Sequence, residues 1–106
     1  MAEHPWGHYR VLSNGPYYKV REIVVAPGKR FGWHLYKYRA EHWVVVEGLP
    51  MINIGDESMA VPVNESVFVP PKTPHCLENP GQEPVIIIAV QTGAYLEEDD
   101  IVTIRQ

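Results

Sequence analysis

The stretch that decides the fold reads GKRFGWHLYKYRAEHWVVVEG and runs from Gly28 to Gly48. Five residues separate Gly28 from His34, one separates His34 from Tyr36, four separate Tyr36 from Glu41, and six separate Glu41 from Gly48. Side chains two positions apart in a strand lie on the same face, so His34 and Tyr36 share a face. Imidazole and carboxylate groups are costly to bury unless they are paired or bind a cation. The pattern therefore indicates a polar site inside a β structure.

A second stretch completes the pattern and runs from Pro70 to Asn79. Within it, Lys72 follows Pro70 by two positions, and three residues separate His75 from Asn79. The two stretches together resemble the paired motifs of the cupin family, G-x5-H-x-H-x4-E-x6-G and P-x-G-x2-H-x3-N. Tyr36 stands where the first motif has its second histidine, and Lys72 stands where the second motif has a glycine. The agreement of two separated segments in order and spacing makes the resemblance specific.

The chemistry of these side chains predicts a divalent metal site formed by His34, Glu41 and His75, with Tyr36 as a weak fourth member. Two imidazoles and a carboxylate suit Zn, Mn, Fe, Ni or Co and leave positions open for water or substrate. A neutral phenol, with a pKa of about 10, is a poor ligand at neutral pH. We therefore expect Tyr36 to ligate the metal, to gate the site or to block it. Without a metal, Glu41 would pair with a base such as Arg39, two positions away on the same face.

Short runs rich in Val, Ile and aromatic residues alternate with turns that contain Pro, Gly and Asn. These runs are residues 17–26, 42–47, 51–54, 66–69 and 85–91. Ten prolines and eight glycines leave no window for a packed amphipathic helix, except a weak turn near residues 94–100. The pattern predicts an all-β jelly-roll barrel that forms a single domain over residues 1–106.

The composition narrows the range of partners and compartments. Nine Lys and Arg are scattered among thirteen Asp and Glu, so neither nucleic acid nor a membrane surface is an expected partner. The N-terminus has no signal-peptide pattern, and the longest apolar run, 85–90, is six residues, which predicts a cytoplasmic protein. The single cysteine, Cys76, is expected to be a buried thiol. Tyr9, Val11 and residues 101–104 are apolar enough to form the edge of a homodimer or to close the protein's own sheet.

Longer blocks of sequence carry a closer resemblance. Residues 39–48, RAEHWVVVEG, and 98–102, EDDIV, resemble the C-terminal cupin domain of type II mannose-6-phosphate isomerases, which bacteria fuse to GDP-mannose pyrophosphorylase. Residues 5–7, 18–20, 64–66 and 77–81 are also similar, so the resemblance covers nearly the whole chain. It implies aldose–ketose isomerisation of a sugar phosphate, with Arg39 as a catalytic residue that holds developing negative charge or the phosphate. Tyr38 and Trp43 are expected to line the pocket and to stack on the substrate.

Departures from the family pattern leave other functions open. The family's Gln-x-His-His-His falls on residues 34–38, so His34 replaces the glutamine, and Tyr36, Lys37 and Tyr38 replace the histidines. No general base is evident once Glu41 and His75 bind a metal. The alternatives are an Fe(II) dioxygenase and a non-catalytic cupin that binds a sugar or another small ligand.

Overall fold

The computed structural model describes residues 2–105, and most of them lie in antiparallel strands. In chain order these are β1 (Ala2–His4), β2 (Gly7–Asn14), β3 (Tyr18–Val25), β4 (Arg30–Tyr36), β5 (Ala40–Glu47), β6 (Met51–Ile54), β7 (Glu57–Ala60), β8 (Ser66–Val69), β9 (His75–Glu78), β10 (Val85–Thr92) and β11 (Ile101–Arg105). A 3₁₀ turn at Glu98–Asp100 precedes β11 and falls at the weak turn predicted from the sequence. No helix among these residues is long and apolar enough to cross a membrane.

The strands form two sheets, as the predicted jelly roll requires. One sheet has the order β1-β2-β3-β10-β5-β8, and the other has the order β11-β4-β9-β6-β7. The two terminal strands, β1 and β11, each lie at the edge of a sheet. The prediction of an all-β barrel is confirmed, whereas the homodimer stays a prediction.

Interior side chains change from apolar to polar along the barrel. Strict alternation on β3, β5 and β10 places every second side chain inside. Over most of the barrel these inward residues are apolar and almost fully buried: Ile23, Val25, Trp43, Val45, Val85, Ile87 and Ala89. At one end the inward positions are instead Arg21, Glu41 and Gln91, which are also buried. Because buried charges need partners, this polar end identifies where a site lies.

Three motif positions hold left-handed backbone conformations, and the first of them, Gly28, has φ of 72°. Gly48 has φ of 86°, and a Cβ there would lie 2.9 Å from the carbonyl oxygen of Pro84, so only glycine fits. Lys72 has φ of 62° although it carries a side chain, at the position where the cupin motif has glycine. The turn that the motif encodes is therefore kept at Lys72, with some backbone strain.

Candidate functional site

The motif residues meet inside the polar end of the barrel. His34 and Tyr36 come from β4, Glu41 comes from β5, and His75 is the first residue of β9. All four side chains are buried, and His34 pairs with His75 in the β4–β9 register. The prediction that His34 and Tyr36 share a face inside a β structure is confirmed.

Arg21 is a site residue that sequence reasoning missed. Its Nη2 donates hydrogen bonds to the hydroxyl of Tyr36 at 3.1 Å and to Oε2 of Glu41 at 3.4 Å. The Nε2 of Gln91 donates to the same hydroxyl at 3.3 Å. The partner of Glu41 is therefore Arg21, and the expected pairing with Arg39 is not formed. Parity could have found Arg21, because it shares the inward face of β3 with Ile23.

The ionisation of this network follows from its burial. Burial opposes the charge on Arg21, but the nearby Tyr36 and Glu41 more than offset this and raise the pKa of the guanidinium above its ordinary value. Burial, reinforced by the charge of Glu41, raises the pKa of the Tyr36 phenol to about 12. At neutral pH the centre of the site is therefore a charged Arg21–Glu41 pair that holds a neutral phenol.

Both histidines of the site are neutral. Burial, with the proximity of His75 acting in the same direction, lowers the pKa of His34 to about 4. Burial also lowers the pKa of His75, against the opposing effect of Glu41. The Nδ1 of His75 lies 3.1 Å from the carbonyl oxygen of Thr73, an acceptor, so Nδ1 carries the proton and Nε2 keeps its lone pair.

Four buried polar atoms in the described part of the chain have no hydrogen-bond partner. These atoms are Nε of Arg21, Nδ1 of His34, Oε1 of Glu41 and Nε1 of Trp43. Trp43 packs edge-on against His75, with ring centroids 5.5 Å apart, and His75 lies 6.4 Å from His34 by the same measure. Unpaired buried polar atoms are rare in folded proteins, so their concentration here makes this the candidate functional site.

The arrangement does not fit a divalent metal ion as the side chains lie. Two neutral imidazoles and a carboxylate are suitable donors. However, no three His, Cys, Asp or Glu side chains within residues 2–105 come close enough together to hold an ion. The physical reason is visible at Glu41, whose Oε2 is directed at the guanidinium of Arg21. The predicted metal and its ligands His34, Glu41, His75 and Tyr36 stay a prediction.

Arg39 lies behind the site. Its guanidinium is 2% exposed. It donates to Oδ2 of Asp100 at 3.1 Å, to Oε1 of Gln91 at 2.9 Å and to the carbonyl oxygen of Glu97. It also covers the ring of Tyr36, with its Cζ 4.6 Å from the ring centroid. These contacts support a positioning role for Arg39, and the proposed direct contact with substrate stays a prediction.

Tyr38 and Trp43 were expected to stack on substrate, and this role stays a prediction for both. Tyr38 lines a separate pocket with Lys37, Tyr95 and Asp99. Strand β4 ends at Tyr36, so alternation stops before Tyr38, which is 61% exposed. The backbone N–H of Tyr38 donates a hydrogen bond to Oδ1 of Asp100 at 3.0 Å, and the Tyr38 side chain lies at the surface. Trp43 has the opposite placement, because it is 1% exposed within the hydrophobic core.

A pocket of about 260 Å³ opens next to the polar network. Its lining consists of His4, Trp6, Tyr9, Arg21, Phe31, His34, Tyr36, Glu98 and Ile101. Three aromatic rings form one wall: His4 stacks on Trp6 at 4.9 Å between centroids, and Trp6 stacks on Phe31 at 4.6 Å. Sequence reasoning missed this wall, since nothing local indicates that the N-terminal strands fold over the barrel end.

Comparison with known proteins places these observations in a family context. The family model described as mannose-6-phosphate isomerase C-terminal matches residues 1–106. A mannose-1-phosphate guanylyltransferase of Salmonella typhimurium is 46% identical over 102 residues, which cover 96% of this chain and 21% of that protein. The chain thus spans about a fifth of the length of the curated relatives it matches.

Solved structures confirm the fold. An uncharacterised protein with a double-stranded β-helix domain from Klebsiella pneumoniae has a TM-score of 0.79 at 18% identity, over 91% of this chain and 77% of that chain. An oxalate decarboxylase–formate complex from Lactobacillus farciminis has a TM-score of 0.85 at 14% identity, over 97% of this chain and 32% of that chain. At such low identities the likeness concerns the cupin fold alone.

Proposed function

Because the chain belongs to the mannose-6-phosphate isomerase C-terminal family, we propose that its barrel-end pocket binds a mannose phosphate and does so without a divalent metal. The observation that carries this proposal is the pocket itself, which joins an aromatic wall to the polar side chains of Arg21, His34 and Tyr36. Sugar binding without catalysis is one of the alternatives that the sequence left open. The placement of Arg21 now favours it over metal chemistry.

The wall suits the ring of a sugar. Trp6 is stacked on both Phe31 and His4, with planes within 7° and 6° of its own, and the three rings together give the pocket an apolar wall. The C–H groups of a hexose can pack against such a wall, and its hydroxyl groups can both donate and accept hydrogen bonds. Arg21, His34 and Tyr36 lie at the polar side of the pocket, where those hydroxyls would be directed.

The phosphate would bind at the rim, where charged residues are already present. Nζ of Lys19 lies 3.7 Å from Oε1 of Glu98, and the Glu98 side chain is 75% exposed. An exposed ion pair of this length contributes little to stability, so a phosphate can replace the carboxylate at Lys19. Glu98 would then turn towards solvent.

Isomerisation is the second candidate. Oε1 of Glu41 and Nδ1 of His34 have no partners, and either is a chemically suitable base. Glu41, however, is 1% exposed and does not line the pocket, so it lacks access to the substrate. His34 does line the pocket, but burial lowers its pKa to about 4, which makes it a weak base at neutral pH. No specific observation favours the dioxygenase alternative. Binding without turnover is therefore the function that the geometry supports best.

Isothermal titration calorimetry with mannose 6-phosphate and mannose 1-phosphate, in buffer containing EDTA, tests the proposal. We expect saturable binding that Trp6→Ala weakens by about fivefold, the value of one lost aromatic stack. Trp33→Ala is the matched control, because Trp33 packs against Arg105 and not in the pocket. Absence of binding by either sugar phosphate, with or without added metal, would overturn the proposal. Formation of fructose 6-phosphate from mannose 6-phosphate in EDTA would favour isomerisation instead.

A further inference from the structure

We infer that Arg21 is the built-in cation of the barrel interior and that its guanidinium excludes a divalent metal ion from His34, Glu41 and His75. This goes beyond the proposed sugar-phosphate ligand, because it concerns whether the protein without sugar can bind a metal ion. It makes Arg21 a residue that determines specificity between a metal-free and a metal-bound site.

Arg21 supplies the positive charge that the buried carboxylate of Glu41 requires. Glu41 is almost completely buried, and a buried carboxylate requires a cation close by. The Nη2 of Arg21 meets this requirement at 3.4 Å. The neighbouring Arg39 is already committed to its own buried carboxylate, Asp100. The carboxylate of Glu41 is thus already balanced by Arg21 and is not left to offset the charge of an added divalent ion.

The lone pairs of the Tyr36 hydroxyl are already used by hydrogen-bond donors of the protein. A phenol oxygen has two acceptor positions. The Tyr36 hydroxyl uses both, one for Nη2 of Arg21 at 3.1 Å and one for Nε2 of Gln91 at 3.3 Å. Tyr36 therefore has no lone pair left for a metal while Arg21 is in place. The residue that replaces the motif histidine is held by the same guanidinium that balances Glu41.

Without Arg21, the donor atoms of Glu41, His34 and His75 would be left free to bind a metal ion. Oε2 of Glu41 would lose its only named partner, and Oε1 of Glu41 and Nδ1 of His34 are already unpaired. Nε2 of His75 keeps a lone pair. Two nitrogens and a carboxylate are a donor set that binds first-row divalent metals. Removing the guanidinium also leaves an uncompensated negative charge in the interior. Both changes favour a cation.

Metal titration of wild type and Arg21→Met tests the inference, with Zn²⁺ and Mn²⁺ as probes and with calorimetry and thermal unfolding as readouts. Methionine fills a similar volume without charge. We expect Arg21→Met to unfold at a lower temperature than wild type, to recover on metal addition, and to bind metal at least about tenfold more tightly. Arg10→Met is the matched control, since Arg10 forms an exposed pair with Glu22. Adding Glu41→Gln to Arg21→Met should abolish the recovery.

Wild type gives a decisive result of its own, so the test stands even if Arg21→Met does not fold. We expect no metal-induced thermal shift with either metal in wild type or in Glu41→Gln, although Glu41→Gln itself lowers the unfolding temperature by removing the partner of Arg21. Metal binding by wild type that Glu41→Gln removes would overturn the inference, as would a folded Arg21→Met that binds no metal. No sugar is present in these titrations, so metal binding by wild type would overturn the exclusion of metal, here and in the proposed function, while sugar-phosphate binding itself is decided by the calorimetry described above.

Discussion

Nη2 of Arg21 lies 3.4 Å from Oε2 of Glu41, and both side chains are buried between the two sheets of the barrel. The two residues come from β3 and β5, which are separated by β10 in the same sheet. A buried pair of this kind contributes modestly compared with an apolar pair, but the loss of one partner costs about 3–5 kcal/mol. The pair therefore fixes the electrostatics of the site more than its stability.

Removing the hydroxyl of Tyr36 should destabilise the protein. Tyr36→Phe leaves Nη2 of Arg21 and Nε2 of Gln91 without their shared acceptor. We expect the free energy of unfolding to fall by about 1–3 kcal/mol, as for unsatisfied buried donors. Urea denaturation measures this. Tyr38→Phe is the control, because Tyr38 is largely exposed and its variant should stay within about 0.5 kcal/mol of wild type. Equal effects of the two variants would argue against the network.

Asp100 should be the most sensitive carboxylate of the C-terminal segment. Its side chain is fully buried and accepts hydrogen bonds from Nε of Arg39 and from the backbone N–H groups of Lys37 and Tyr38. Asp100→Asn leaves Arg39 as an uncompensated buried charge, so we expect a loss of about 3 kcal/mol or more.

The comparison for Asp100 is Glu22, which pairs with Arg10 at the surface. Glu22→Gln should cost less than about 1 kcal/mol. Chemical denaturation of both variants checks the contrast. A loss at Asp100 no larger than that at Glu22 would mean that the Arg39 anchor is not formed.

Stability should fall in acid because of His34. Its pKa is lowered from 6.5 to about 4 in the folded protein, so the unfolded chain binds the proton more tightly. The contribution is fully present above pH 6.5 and is lost as the pH falls towards 4. This difference corresponds to at most about 3 kcal/mol.

His34→Gln, which introduces the residue of the family pattern, should flatten this part of the stability profile. Urea midpoints between neutral and acidic pH measure the effect in both proteins. His75 retains its own lowered pKa, so the variant keeps some acid sensitivity. A variant that loses as much stability as wild type would show that His34 is not the buried neutral group described.

Backbone strain at Lys72 predicts a stabilising substitution. Its φ of 62° costs a residue with a side chain about 1–2 kcal/mol, whereas glycine adopts it freely. Glycine also increases the entropy of the unfolded chain, so we expect a net gain of at most about 1 kcal/mol from Lys72→Gly. Lys29→Gly is the control. Lys29 is not in the left-handed region, so this variant should be less stable than wild type. A loss of stability at Lys72 would contradict the assigned backbone conformation.

The sequence alone supports the barrel and the burial of the motif side chains. The spacing of His34, Tyr36 and Glu41 and the alternation of strands are local patterns, and they placed these residues on inward faces. Alternation alone could have placed Arg21 and Gln91 on inward faces, but their partners depend on the order β3-β10-β5, which no local pattern encodes. Tyr38 lies outside the barrel because β4, and with it the alternation, ends at Tyr36.

The central claim is tested most directly by a crystal structure of the protein. The crystals are grown with excess Mn²⁺, and an anomalous difference map is calculated from data collected at the manganese edge. That claim is that Arg21 takes the cationic place beside Glu41. The account predicts no anomalous peak between Glu41, His34 and His75, and electron density for Arg21 within hydrogen-bonding distance of Glu41 and Tyr36. A strong peak between these side chains, with the guanidinium of Arg21 turned away from Glu41, would contradict it.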